Sequence, residues 1–65
     1  MTTKTRDTII AAMDILTNMS VGAIGEGGPT IKELDDCVES NGSSWGDDAD
    51  YHTVQYAWRI LERLK

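Results

Sequence analysis

Four glycines within Val21-Gly22-Ala23-Ile24-Gly25-Glu26-Gly27-Gly28 rule out a continuous helix through this part of the chain. A glycine in a helix interior costs about 1 kcal/mol relative to alanine, so the segment is expected to be a loop and the preceding helix to end at it. Pro29 follows, and then Thr30-Ile31-Lys32-Glu33. Thr30 and Glu33 have the spacing of a capping box, in which the threonine hydroxyl accepts from the N3 amide and the glutamate reaches back to the N-cap amide. A second helix therefore starts at about residue 30. The glycine loop and the cap together divide the chain into helical segments joined by loops, and an all-α fold follows.

Periodicity fills in the segments. Ile9, Ala12, Met13, Leu16 and Ser20 recur at helical spacing while Asp7, Ala11, Asp14 and Asn18 lie opposite, so an amphipathic helix is expected over about residues 5–20. Ile10, Ile15 and Met19 widen its apolar arc beyond what one neighbour covers, which predicts a central helix or one shared with a second molecule. The second helix, residues 30–41, carries Ile31, Leu34, Cys37 and Val38 on one face and stops at Asn41-Gly42, residues that tolerate a left-handed cap. A connector follows, in which Trp45 is the residue able to reach a core. Asp47, Asp48 or Asp50 is expected to cap a third helix over residues 48–64, with Val54, Ala57, Trp58, Ile60, Leu61 and Leu64 as its apolar stripe. His52, Gln55, Tyr56, Arg59 and Arg63 fall within about 100° of arc and are predicted to form its exposed face.

The 65 residues form one small domain, too short for a multidomain enzyme and able to bury only about 60% of the unfolded chain's surface. One cysteine, Cys37, excludes an intramolecular disulfide and points to a reducing compartment. Neither a signal peptide nor an apolar run of membrane-spanning length is found, so a cytoplasmic protein is expected. The formal net charge of −5 is unevenly distributed. Residues 25–50 carry Lys32 against Glu26, Glu33, Asp35, Asp36, Glu39, Asp47, Asp48 and Asp50, a net −7, whereas residues 51–65 carry Arg59, Arg63 and Lys65 against Glu62, a net +2.

Gly28-Pro29-Thr30-Ile31-Lys32-Glu33-Leu34 and the later His52-Thr53-Val54-Gln55-Tyr56-Ala57-Trp58-Arg59-Ile60-Leu61-Glu62-Arg63-Leu64 resemble the second and third helices of winged-helix repressors of the SOS-repressor type. The resemblance covers about half the chain and implies a small three-helix, helix-turn-helix-like bundle without the wing. It also implies a transcriptional regulator in which His52, Gln55, Tyr56, Arg59 and Arg63 face bases and phosphates. Two features separate the chain from that pattern. About nine residues beyond the tight turn of about 3–4 residues lie between Leu34 and Val54, and they are largely acidic. A −7 segment beside a recognition helix also repels duplex phosphates.

By size and acidity the chain also resembles small phage-encoded anti-defence proteins, including anti-CRISPR proteins and DNA mimics. That resemblance implies a non-enzymatic inhibitor in the cytoplasm of a bacterial host, acting as monomer or homodimer on a basic nucleic-acid-binding protein such as a CRISPR effector subunit. Glu33, Asp35, Asp36, Glu39, Asp47, Asp48 and Asp50 would present carboxylates as a nucleic acid presents phosphates, with Trp45 as an apolar anchor. A solvated face plus a helix cap is the plainer reading of the same charges. A third arrangement would pack the basic third helix on the acidic second helix of a neighbouring copy.

Catalytic signatures are missing. His52 has no nucleophile at recognisable spacing, and Cys37 lies on an apolar face as a small hydrophobe. Asp47-Asp48-Ala49-Asp50 lacks the ligand spacing of a calcium loop, and the glycine run lacks a phosphate-loop ending. No cofactor or metal is expected.

Overall fold

The computed structural model describes residues 2–65. It is a small all-α bundle compatible with a helix-turn-helix-like arrangement: α1 (Thr3–Thr17), α2 (Ile31–Ser40), a short 3-10 turn (Gly46–Asp48) and α3 (Ala49–Leu64).

Helix α1 begins and ends earlier than its apolar periodicity predicts. Thr2 caps it, its hydroxyl accepting from the Thr5 amide at 3.1 Å. At the other end the Thr17 hydroxyl and the Asn18 side-chain amide both donate to the Asp14 carbonyl, each at 2.8 Å. Side chains that bond back to the preceding turn offer the backbone a way out of the helix, and Ser20 consequently lies beyond it. Helix α2 forms as its cap requires: Thr30 Oγ1 accepts from Glu33 N at 3.2 Å, and Glu33 Oε1 accepts from Thr30 N at 3.3 Å. Replacing Thr30 by alanine removes the hydroxyl's half of this exchange and is expected to lower stability by about 1 kcal/mol in a urea titration. At the far end of α2 the Asn41 side-chain amide donates to Cys37 O at 3.0 Å, and Gly42 then takes a left-handed φ of 81°.

Helix α3 is the spine. Both α1 and α2 pack on it, and among the described residues the α1 and α2 backbones do not come within 8 Å, Cα to Cα. A Cβ at Gly22 would lie 2.6 Å from the Tyr51 ring, so the chain leaving α1 passes the first turn of α3. Since α3 only begins at Ala49, a helix that ends there and packs along α3 runs antiparallel to it. The buried apolar side chains are Met13 from α1, Leu34 from α2 and Trp58 from α3, one per helix. The thin core expected of so short a chain is realised in an elongated form. The radius of gyration is 12.6 Å, against about 11 Å for a compact domain of this length.

The expectation that α1 is enclosed on two sides is corrected by this arrangement. Ile15 and Met19 remain 67% and 41% exposed, and α2 makes no close backbone approach to α1 that would cover them. None of the helices is long and apolar enough to cross a membrane among the described residues.

Candidate functional site

The long connector after α2 is held by its tryptophan. Trp45 Nε1 donates to the Leu34 carbonyl at 2.8 Å, and its ring lies 5.9 Å from both the His52 and the Tyr56 rings on α3. Tyr51 adds a further contact to His52 at 5.5 Å. Trp45 thereby pins the connector against two helices, as its isolation in a polar stretch suggested. His52 Nδ1 is buried in this aromatic cluster without a hydrogen-bond partner.

Beside the cluster opens a cleft of about 600 Å³, lined by Asp35, Val38 and Glu39 of α2, Ser43, Ser44 and Trp45 of the connector, and Tyr56 of α3. Asp35 and Glu39 are one helical turn apart and present two carboxylates to one wall, while Trp45 and Tyr56 supply aromatic faces. The ion pair found among the described residues, Arg59–Glu62 at 3.1 Å, involves neither acid. Uncompensated carboxylates beside aromatic rings in a concave site form an environment that attracts a cationic side chain, by charge and by the negative face of the rings.

The seven acids are spread over several elements. Asp35 and Glu39 line the cleft and Asp36 is solvent-exposed outside it. The Glu33 carboxylate is engaged by its own cap, accepting also from Thr30 Oγ1 at 3.1 Å. Asp47 and Asp48 belong to the 3-10 turn, and Asp50 to the first turn of α3. Asp48 occupies the N-cap position of α3, yet its side chain makes no capping hydrogen bond.

The predicted exposed face of α3 is corrected more sharply. Gln55 is completely buried. Its Oε1 accepts from Gly25 N at 2.9 Å, and its Nε2 donates to Gly25 O at 2.9 Å and to Pro29 O at 3.0 Å. Arg59, one turn on, donates through Nε to Pro29 O at 3.1 Å, and through Nη2 to Glu26 O at 3.0 Å and Gly28 O at 2.9 Å. Its guanidinium also lies 5.4 Å from the Trp58 ring centroid. Gly28 is required beside Gln55, because a Cβ there would fall 2.9 Å from the glutamine amide. His52 and Tyr56 stand half-buried against Trp45. Of the predicted DNA-facing set only Arg63 is solvent-exposed.

The physical reason lies in the glycine loop. An irregular segment packed on a helix leaves backbone amides and carbonyls without partners, and side chains of the opposing helix must supply them. Gln55 and Arg59 do so. A helical-wheel reading places any glutamine or arginine in solvent; the signal it passes over is a polar pair at i, i+4 in a chain with a glycine-rich loop to satisfy.

Among the described residues no group of three or more His, Cys, Asp or Glu side chains is placed to hold a metal ion. Cys37 is half-buried and unpaired by disulfide. Compared with protein-family models, curated protein sequences and solved structures, the chain matches none.

Proposed function

We propose that this protein is a non-enzymatic, acidic binding protein whose cleft receives a basic side chain from the nucleic-acid-binding surface of another protein and thereby blocks that surface. The observation that carries the reading is the cleft itself, where Asp35 and Glu39 face Trp45 and Tyr56 with no cation of their own. A guanidinium satisfies both kinds of wall, since it pairs with carboxylates in a fork and stacks on aromatic faces. Inhibition of a bacterial nucleic-acid-guided effector, as small phage-encoded anti-CRISPR proteins and DNA mimics perform it, is the finer form of this proposal. Direct DNA recognition has less support, because Gln55 and Arg59 are committed to the chain's own loop.

Capture of proteins from a bacterial lysate by the tagged chain tests the proposal. The expected catch is a nucleic-acid-binding protein that added duplex DNA displaces and that weakens its hold as salt rises. Reversing Asp35 and Glu39 to lysine should weaken this capture at least ~10-fold, the order expected for juxtaposed like charges at an interface. Arg63→Ala should leave capture intact. Unchanged capture by the charge-reversed chain sinks the proposal.

A further inference from the structure

On the side of the molecule away from the glycine loop, the α1–α3 pair carries exposed apolar side chains toward both of its ends. Ile15 and Met19 are 67% and 41% exposed, and Ile60 and Leu64 are 42% and 52% exposed. With the buried stripes of the two helices turned toward each other and the helices antiparallel, the 3.6-residue period places Ile15, Ile60 and Leu64 on one side, with Thr8 and Thr53 between them, while Met19 lies in the turn just beyond α1. Ile10, 37% exposed, falls on the opposite side with the loop.

We propose that this face is covered by a second copy of the chain, packed antiparallel about a two-fold axis. Three observations favour that occupant. The accessible surface is 4447 Å², above the about 4,100 Å² expected for a monomer of 7.2 kDa, so more surface is uncovered than the mass predicts. Each helix contributes a single buried apolar side chain, Met13, Leu34 or Trp58. Below about 70 residues a lone core seldom suffices, and oligomerisation is one of the recurrent remedies.

The third observation is charge. One end of the α1–α3 pair carries Lys4 at the start of α1 with Arg63 in the last turn of α3 and Lys65 just after it, whereas the other end carries Asp50 in the first turn of α3, with Asp47 and Asp48 in the 3-10 turn that leads into it. A two-fold axis through the middle of the face sets the basic end of one copy over the acidic end of the other, twice. Self-complementarity of this kind is what an isologous interface requires, and an unrelated partner would have no reason to match it.

Sedimentation equilibrium of the full chain over a dilution series, at low and high salt, tests the inference. The expected result is a shift from 7.2 kDa to twice that mass with rising concentration. Ile15→Lys with Ile60→Lys should retain its helical circular dichroism, both positions being exposed, and dimerise at least ~100-fold more weakly. Arg63→Glu should also weaken the dimer, and Arg63→Glu combined with Asp50→Lys should restore part of it. A wild-type chain that stays at monomer mass to millimolar concentration overturns the inference. So does a doubly substituted chain that is helical and associates as well as wild type.

Discussion

Replacing Gln55 by alanine is expected to lower the free energy of unfolding by about 3 kcal/mol, read as a fall in the urea midpoint. The side chain is fully buried and makes three hydrogen bonds to loop backbone, to both polar groups of Gly25 and to the Pro29 carbonyl. A typical internal hydrogen bond contributes about 1 kcal/mol, and leaving a buried donor or acceptor unmet adds about 1–3 kcal/mol. A chain of this length has about 3–10 kcal/mol of stability in total, so the substitution removes a large fraction of it. Gln55→Met separates hydrogen bonding from volume. It keeps most of the bulk and none of the bonds, and should be destabilised almost as much. Wild-type stability in that variant would mean that the loop is held by packing instead.

Arg59→Ala is expected to cost about 2 kcal/mol, through the Glu26 and Gly28 carbonyls left without their side-chain donor, the Pro29 carbonyl reduced to its bond from Gln55, and the lost contact to Glu62. The side chain is 14% exposed, and water can reach part of what it leaves behind, which sets the figure below that for Gln55. Arg59→Lys should rescue little, because an ammonium cannot span carbonyls that the guanidinium reaches from two nitrogens at fixed geometry. The same substitution separates the two functional readings. If Arg59 serves the loop, its loss shifts the unfolding curve and leaves duplex affinity unaffected. An unchanged urea midpoint together with abolished duplex binding would return Arg59 to a DNA-reading role. Arg63→Ala, which alters an exposed charge, is consequently the appropriate control for partner binding.

The helices were legible because local chemistry determines them. The Thr30–Glu33 cap forms with both of its hydrogen bonds, and Gly42 takes the left-handed turn that closes α2. The end of α1 was misplaced because apolar periodicity continues to Ser20 while Thr17 and Asn18 bond back to Asp14. Trp45 was readable as an anchor from its isolation in a polar stretch. What it anchors to depends on the Leu34 carbonyl and the His52 and Tyr56 rings, which come together only through the fold. The acidic set illustrates the same limit: seven residues close in sequence divide among a cap, a cleft, a 3-10 turn and a helix start, and only Asp35 and Glu39 share the concave wall. Gln55 was misread because its role depends on backbone groups about thirty positions earlier.

The separation of the α1 and α2 backbones has a consequence for local opening. Each flanking helix can detach while the other stays docked, whereas α3 cannot lose its structure without releasing both. Amide hydrogen exchange should therefore be slowest in the middle turns of α3, around Gln55 and Trp58, and approach the rate of global unfolding there. α1 and α2 should exchange faster, and independently of each other. A substitution that loosens α1 would then leave protection in α2 unchanged, so the half of the molecule bearing the cleft can keep its shape while the other half opens.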